Sequence, residues 1–157
     1  MFAIGETVCY PTHGMGVIES VSEQSVCGKT ERYYHIRFFN NRIIAMVPVD
    51  NAPAVGLRLP ATLEECERAL ALLREDTVRR EDPNWNRRYH DNMELLRKGD
   101  ILSVTAVVKS LSQREARKGL SSGEKRMLTV AARVLTEEMI FVTGKEEEAL
   151  LKEMGGA

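Results

Sequence analysis

Leu59-Pro60-Ala61-Thr62-Leu63-Glu64-Glu65-Cys66-Glu67-Arg68-Ala69-Leu70 is the stretch at which the periodicity of this chain changes. Before it, short β-branched and aromatic runs are separated by turn residues. After it, apolar residues recur every three or four positions. Thr62 followed three residues later by Glu65 is a capping box, in which each side chain satisfies a backbone amide of the other residue. Leu63, Cys66, Ala69, Leu70 and Leu73 then make one apolar stripe at helical spacing. The expected organisation is α+β, with a β-rich domain over residues 1–60 and a helical domain over residues 61–157.

Upstream of the switch, Val8-Cys9-Tyr10 runs into Pro11-Thr12-His13-Gly14-Met15-Gly16, a tight irregular turn. Val17-Ile18-Glu19-Ser20-Val21 and Tyr33-Tyr34-His35-Ile36-Arg37-Phe38-Phe39 read as strands joined by a hairpin around Cys27-Gly28-Lys29. Asn40-Asn41 turns the chain into a last strand over residues 42–49. So few short strands, in roughly 50 residues, can cover a core only by curling into a small barrel. Along the last strand, period-two alternation puts Ile43, Ala45 and Val47 on one face and Arg42, Ile44 and Met46 on the other. Both faces are largely apolar. Either the C-terminal half covers this strand, or it offers Ile44 and Met46 to a partner.

Downstream, Asp82 is read as the cap and Pro83 as the first residue of a second helix that reaches about Lys98 and stops at Gly99. Asp100 caps a third helix, with Val104, Val107, Val108 and Leu111 inward and Gly119 at its end. Ser121-Ser122-Gly123-Glu124 is another capping box. It opens a fourth helix with Leu128, Ala131, Ala132, Leu135 and Met139 on its core side and Gly144 as its stop. A short acidic helix follows, up to Gly155-Gly156. Short connections between such helices imply a bundle.

Composition narrows the function. At 157 residues, 43% hydrophobic and 29% charged, the chain has a globular balance. No apolar run approaches the ~20 residues of a membrane span, and no membrane partner is expected. The first residues lack a basic start and a long apolar stretch, so a secretory signal is not expected. Cys9, Cys27 and Cys66 are too few and too scattered for a disulfide framework or a zinc knuckle, which makes cytoplasmic residence the expectation. His13, His35 and His90 have no carboxylate or thiol at a pairing distance in sequence. Gly14-Met15-Gly16 lacks the further Gly, the Lys-Ser/Thr pair and the helix of a phosphate loop. No metal-ligand spacing is present, and neither catalysis nor a cofactor is expected.

The net charge of −1 conceals an uneven distribution. Residues 109–126 carry Lys109, Arg114, Arg117, Lys118, Lys125 and Arg126 against Glu115 and Glu124, whereas from Glu137 onward glutamates dominate. The sole tryptophan lies in Asp82-Pro83-Asn84-Trp85-Asn86-Arg87-Arg88-Tyr89. A flat apolar ring next to guanidinium groups suits a protein that wedges into a duplex without reading bases. Trp85, Tyr89, Met93 and Leu96 also share helical spacing, so Trp85 could instead head a buried stripe. Arg87 and Arg88 near one helix start, and Lys125 and Arg126 near another, stand against the helix dipole and add to it. Two such sites would attract an anion, phosphate above all.

Two motifs of the N-terminal part resemble the N-terminal module of the CarD family of bacterial transcription regulators. They are Gly5-Glu6-Thr7-Val8-Cys9-Tyr10-Pro11-Thr12-His13-Gly14, and Val47-Pro48 with Val55-Gly56-Leu57-Arg58. Asn84-Trp85-Asn86-Arg87-Arg88-Tyr89 and Gly119-Leu120-Ser121-Ser122-Gly123-Glu124-Lys125-Arg126-Met127-Leu128 are similar to the C-terminal module of the same family. The similarity runs from about residue 2 to 142, in order. It implies a Tudor-like barrel that docks on the RNA polymerase β subunit, followed by a helical domain that touches promoter DNA at the upstream edge of the transcription bubble. On that resemblance Trp85 is the minor-groove wedge, Arg87, Arg88 and Lys125 are phosphate contacts, and Arg126 is a weaker one. The implied outcome is a longer-lived open complex, without sequence-specific binding.

One departure bears on docking. Where some members of the family carry arginines facing the polymerase, this chain has Gln24 and Met46. Docking would then rest on Gln24, Arg42, Ile44 and Met46, more on apolar contact than on charge. The competing reading is a protein-interaction adaptor that binds polymerase or another acidic partner and makes no DNA contact, with Trp85 in the core. A sequence-specific repressor would need a recognition helix and a dimer face. Nothing signals either, and a monomer is expected.

Overall fold

Val8, Ile18, Tyr34, Ile36, Phe38 and Val47 are buried together, one small core gathered from four strands in sequence order. The computed structural model describes residues 1–75, 77 and 82–154. Strands β1 (Thr7–Tyr10), β2 (Gly14–Val26), β3 (Lys29–Phe38) and β4 (Ile44–Pro48) form one antiparallel sheet in the order β1-β2-β3-β4. Between Ile18 and Ser20 the β2–β3 register shifts, leaving Glu19 as an extra residue, and its carboxylate pairs with Arg37. Such a bulge bends the strand and sharpens its twist.

The sheet curls as expected of a small Tudor-like domain, in the form of an open half-barrel. Among the described residues β1 and β4 are not paired, and the free edge of β1 receives only Arg58. Cys9 N donates to Arg58 O at 2.7 Å, and Arg58 N donates to Cys9 O at 3.1 Å. The result is a half-barrel, and β4 keeps an open edge.

The β2–β3 arm is longer than the alternation predicts. Ladder pairs continue through Glu23↔Arg32 and Gln24↔Glu31 to Val26↔Lys29, well past the last core residue. Cys27 and Gly28 both have positive φ, 53° and 78°. That turn matches the right-handed twist of the strands and carries the pairing without a core beneath it. Arg42, expected in the last strand, lies in the preceding turn with φ 58°, and its amide donates to Phe38 O. Period-two alternation therefore begins at Ile44.

Five α-helices follow among the described residues: α1 (Leu63–Arg74), α2 (Trp85–Lys98), α3 (Ile101–Arg117), α4 (Ser122–Thr143) and α5 (Glu147–Glu153). Both capping boxes form, at Thr62/Glu65 and Ser121/Glu124, and Asp100 caps α3. The cap of α2 differs from the expectation. Asn84, not Asp82, accepts from the amides of Asn86 and Arg87, while Asp82 accepts from Asn84 N in a turn ahead of the helix. The Asp82 carboxylate is used by the Asn84 amide, and the Asn84 side-chain oxygen takes the first free helix amides, so the helix starts two residues later. Gly99 and Gly144 end α2 and α4 in left-handed conformation. The expected stop of the last helix at Gly155-Gly156 lies outside the described residues.

The helical core gathers Cys66, Ala69, Leu70, Leu96, Val104, Val107, Leu111, Ala131, Leu135, Met139 and Leu150, with α3 at its centre. Leu63, placed in the α1 stripe, is instead exposed. Half-barrel and helices are joined through α4. Glu138, 1% exposed, takes both Nη groups of Arg58 at 2.6 and 2.8 Å and the amide of Ala61 at 2.8 Å. Arg58 Nε donates in turn to Gly99 O at 2.9 Å. Gly99 has no room for a Cβ because Pro11 fills that space, so its φ of 76° and its missing side chain are both needed.

Candidate nucleic-acid interface

Helices α2 and α4 begin side by side, and Trp85 stands where they meet. It is the first residue of α2, its ring stacked on Tyr89 one turn on, with centroids 5.3 Å apart and planes at 21°. Its indole Nε1–H donates to Ser121 Oγ, the cap of α4, at 3.0 Å. The residue remains 43% exposed and belongs to no core cluster. The stripe reading therefore holds only from Tyr89 downward. Leu96 is buried and Tyr89 half-buried, but Met93, a member of the same stripe, is 38% exposed.

The four cations nominated around Trp85 divide. Arg87 and Lys125 are exposed, one on each helix start, and Arg87 faces Asp82 at 3.7 Å. Arg126 is also exposed and lines a shallow groove with Thr12, Tyr89, Met93 and Met127. Arg88 is not held out to solvent as expected. Its side chain is 9% exposed, lies 3.8 Å from the Glu124 carboxylate, and donates to the carbonyls of Asp82 and Pro83. Arg88, about 100° round the helix from Arg87, faces the Glu124 carboxylate on α4, whereas Arg87 faces solvent. Arg114, from the basic segment, also turns inward, 3.9 Å from Glu124.

Ser121 and Glu124 are the residues that sequence reasoning missed at this site. Both were legible as a helix cap. Nothing in local spacing says that a cap hydroxyl serves a tryptophan 36 positions earlier.

The other nominated surface is the open edge and outer face of β4. Ala45 and Val47 point inward, while Ile44 and Met46 are 49% and 44% exposed. Of the two options for this strand, coverage by the C-terminal half does not occur. Gln24 lies on the same outward face, four β3 residues from Met46 through the pairs Gln24↔Glu31 and His35↔Met46, about 13 Å at strand rise. Arg42 lies outside β4, in the turn ahead of it, and is exposed.

His35 and Ser22 bond each other at 2.6 Å, and His13 packs on the Tyr10 and Phe38 rings. Burial, together with the Glu138 carboxylate, pushes the Cys9 thiol up to about 12, far from a nucleophile's range. Among the described residues no helix is long and apolar enough to cross a membrane.

A half-barrel with an uncovered edge strand is thus clamped to helices that present one aromatic beside exposed cations. A family model described as the CarD, C-terminal domain matches residues 68–154, and one described as the CarD-like/TRCF RID domain matches residues 2–58. The chain belongs to the CarD family, and it is a transcription-related regulator. A Bacillus subtilis (strain 168) protein named "Putative transcription factor YdeB" is 27% identical to it over 150 residues, 96% of this chain and 97% of the relative. These matches are of a transcription type, not an enzyme class.

Proposed function

We propose that this protein docks through β4 and the neighbouring outer face of its half-barrel on the RNA polymerase β subunit. Its helical part then contacts promoter DNA at the upstream edge of the transcription bubble and prolongs the open complex. Trp85 is the minor-groove wedge. Arg87 and Lys125 hold the phosphate backbone, Arg126 contributes more weakly, and Arg88 supports the site from beneath. The observation that carries this reading is a half-exposed tryptophan at the junction of two helix N-termini, with a solvent-exposed cation on each.

The physics of each surface agrees with its task. An aromatic wedge that partly unstacks a base step needs no base-edge hydrogen bonds, so contact is sequence-independent. Helix N-termini add positive potential where the cations stand. Two or three cations on a chain of net charge −1 give weak binding to free duplex, and tethering to polymerase supplies the missing affinity through effective concentration. On the other surface, an open strand edge offers unpaired amides and carbonyls for strand addition, while Ile44, Met46 and Gln24 select the partner's side chains. With apolar residues where arginines would stand, docking should depend little on salt.

The test is the lifetime of polymerase–promoter open complexes with and without the protein. Wild type lengthens it and Trp85→Ala abolishes most of that effect while leaving the melting temperature within a few degrees. A lifetime insensitive to Trp85→Ala removes this function.

A further inference from the structure

We infer that Ser121 and Glu124 are positioning residues for the Trp85 wedge, so that one capping box both starts α4 and sets the angle at which the indole meets its target. The inference rests on the DNA-contact reading of Trp85 given above.

The hydroxyl of Ser121 is used to capacity. It accepts from Trp85 Nε1 at 3.0 Å and from the Glu124 amide at 3.2 Å, and it donates to Glu124 Oε1 at 3.0 Å. A serine hydroxyl has one proton and two lone pairs, and all three have named partners. Glu124 decides this arrangement. Its Oε1, also accepting from Ser121 N at 3.3 Å, takes the hydroxyl proton and so turns both lone pairs toward N–H donors. Its second oxygen lies between Arg88 Nε at 3.8 Å and Arg114 Nε at 3.9 Å. The carboxylate, 2% exposed, is thus held from α2 and α3 while it orients a hydroxyl on α4.

The indole is fixed by two contacts of different kinds. Stacking on Tyr89 sets the plane of the ring but leaves it free to slide. The hydrogen bond to Ser121 removes that freedom by pinning one edge. A wedge held before it meets DNA loses less side-chain entropy on insertion. The same pin ties it to the backbone of α4, whose fourth residue is Lys125. Wedge and phosphate contact therefore move as one body.

Trp85 is the only tryptophan, so intrinsic fluorescence reports on it alone. Ser121→Gly keeps an acceptable cap residue but removes the acceptor for the indole; Ser121→Thr keeps both. In the full chain, Ser121→Gly should raise acrylamide quenching of Trp85 and shorten the open-complex lifetime about fivefold, the equivalent of one hydrogen bond. Ser121→Thr should restore both to wild-type values. Trp85→Phe keeps the ring and drops the donor without touching the cap. It should shorten the lifetime as Ser121→Gly does, and the double variant should add nothing further. If Ser121→Gly and Trp85→Phe leave the lifetime unchanged while Trp85→Ala shortens it, the positioning role is overturned and the wedge survives. If Trp85→Ala has no effect on lifetime, wedge and positioning fall together.

Discussion

Arg88 and Lys125 carry the same charge at equivalent helix starts, yet they answer to different neighbours. Lys125 stands in solvent, while Arg88 lies against Glu124 and two backbone carbonyls. On the proposed function Lys125→Ala weakens DNA contact equally across promoter sequences and lowers the salt slope of that contact by about one. Arg88→Ala should instead lower thermal stability by about 1–3 kcal/mol, because it strips hydrogen bonds and a charge partner from a buried site. Urea melts of the two variants separate the roles. The run of charge around Trp85 was legible in sequence, but which arginine turns inward depends on where α4 packs, and no local pattern encodes that. The thiols make a second test at this scale. Cys9 and Cys66 are buried, and burial pushes them up to about 12 and about 11, whereas Cys27 is exposed in a turn. At pH 8 a thiol reagent should label Cys27 promptly and the other two only on unfolding.

Elements read from sequence succeeded where the signal is local. The capping boxes at Thr62 and Ser121, the Asp100 cap and the Gly99 and Gly144 stops all depend on residues within one turn of each other. The β2–β3 arm was underestimated because past Val21 its register is held by main-chain pairing, with no alternation to betray it. Asp100 carries a pH signature. Burial pushes its carboxyl up, but hydrogen bonds from the Ser103 hydroxyl and amide outweigh that and hold it below its ordinary value. With the folded value below the unfolded one, the cap stabilises fully above the unfolded value and is lost as pH falls through the folded one. Acid titration of Asp100→Asn should therefore show less loss of stability below pH ~4 than wild type, with the cap itself preserved. On the proposed function, replacing Met46 in β4 by Ala should weaken binding to a fragment of the polymerase β subunit; unchanged affinity would remove that face from the docking surface.

At the scale of the whole molecule, the joint between half-barrel and helices was invisible in sequence. Glu138 sits in a run that reads as an acidic tail, and Arg58 lies in a loop 80 positions away. Only the folded chain brings them together, with the Ala61 amide and the Gly99 carbonyl completing the set. Removing one partner of such a pair leaves a buried charge, so Glu138→Ala should cost about 3–5 kcal/mol in chemical denaturation. A wild-type-like midpoint in that variant would mean the two parts do not depend on this clamp. The clamp has a consequence for distance. A span held by a bidentate ion pair and a proline-against-glycine contact is a ruler, not a leash. On the proposed function, the gap between the polymerase surface gripped by β4 and the base step met by Trp85 becomes a fixed length. The protein would then gauge where the bubble ends, and a promoter whose upstream edge melts one base pair off that mark would be held less well.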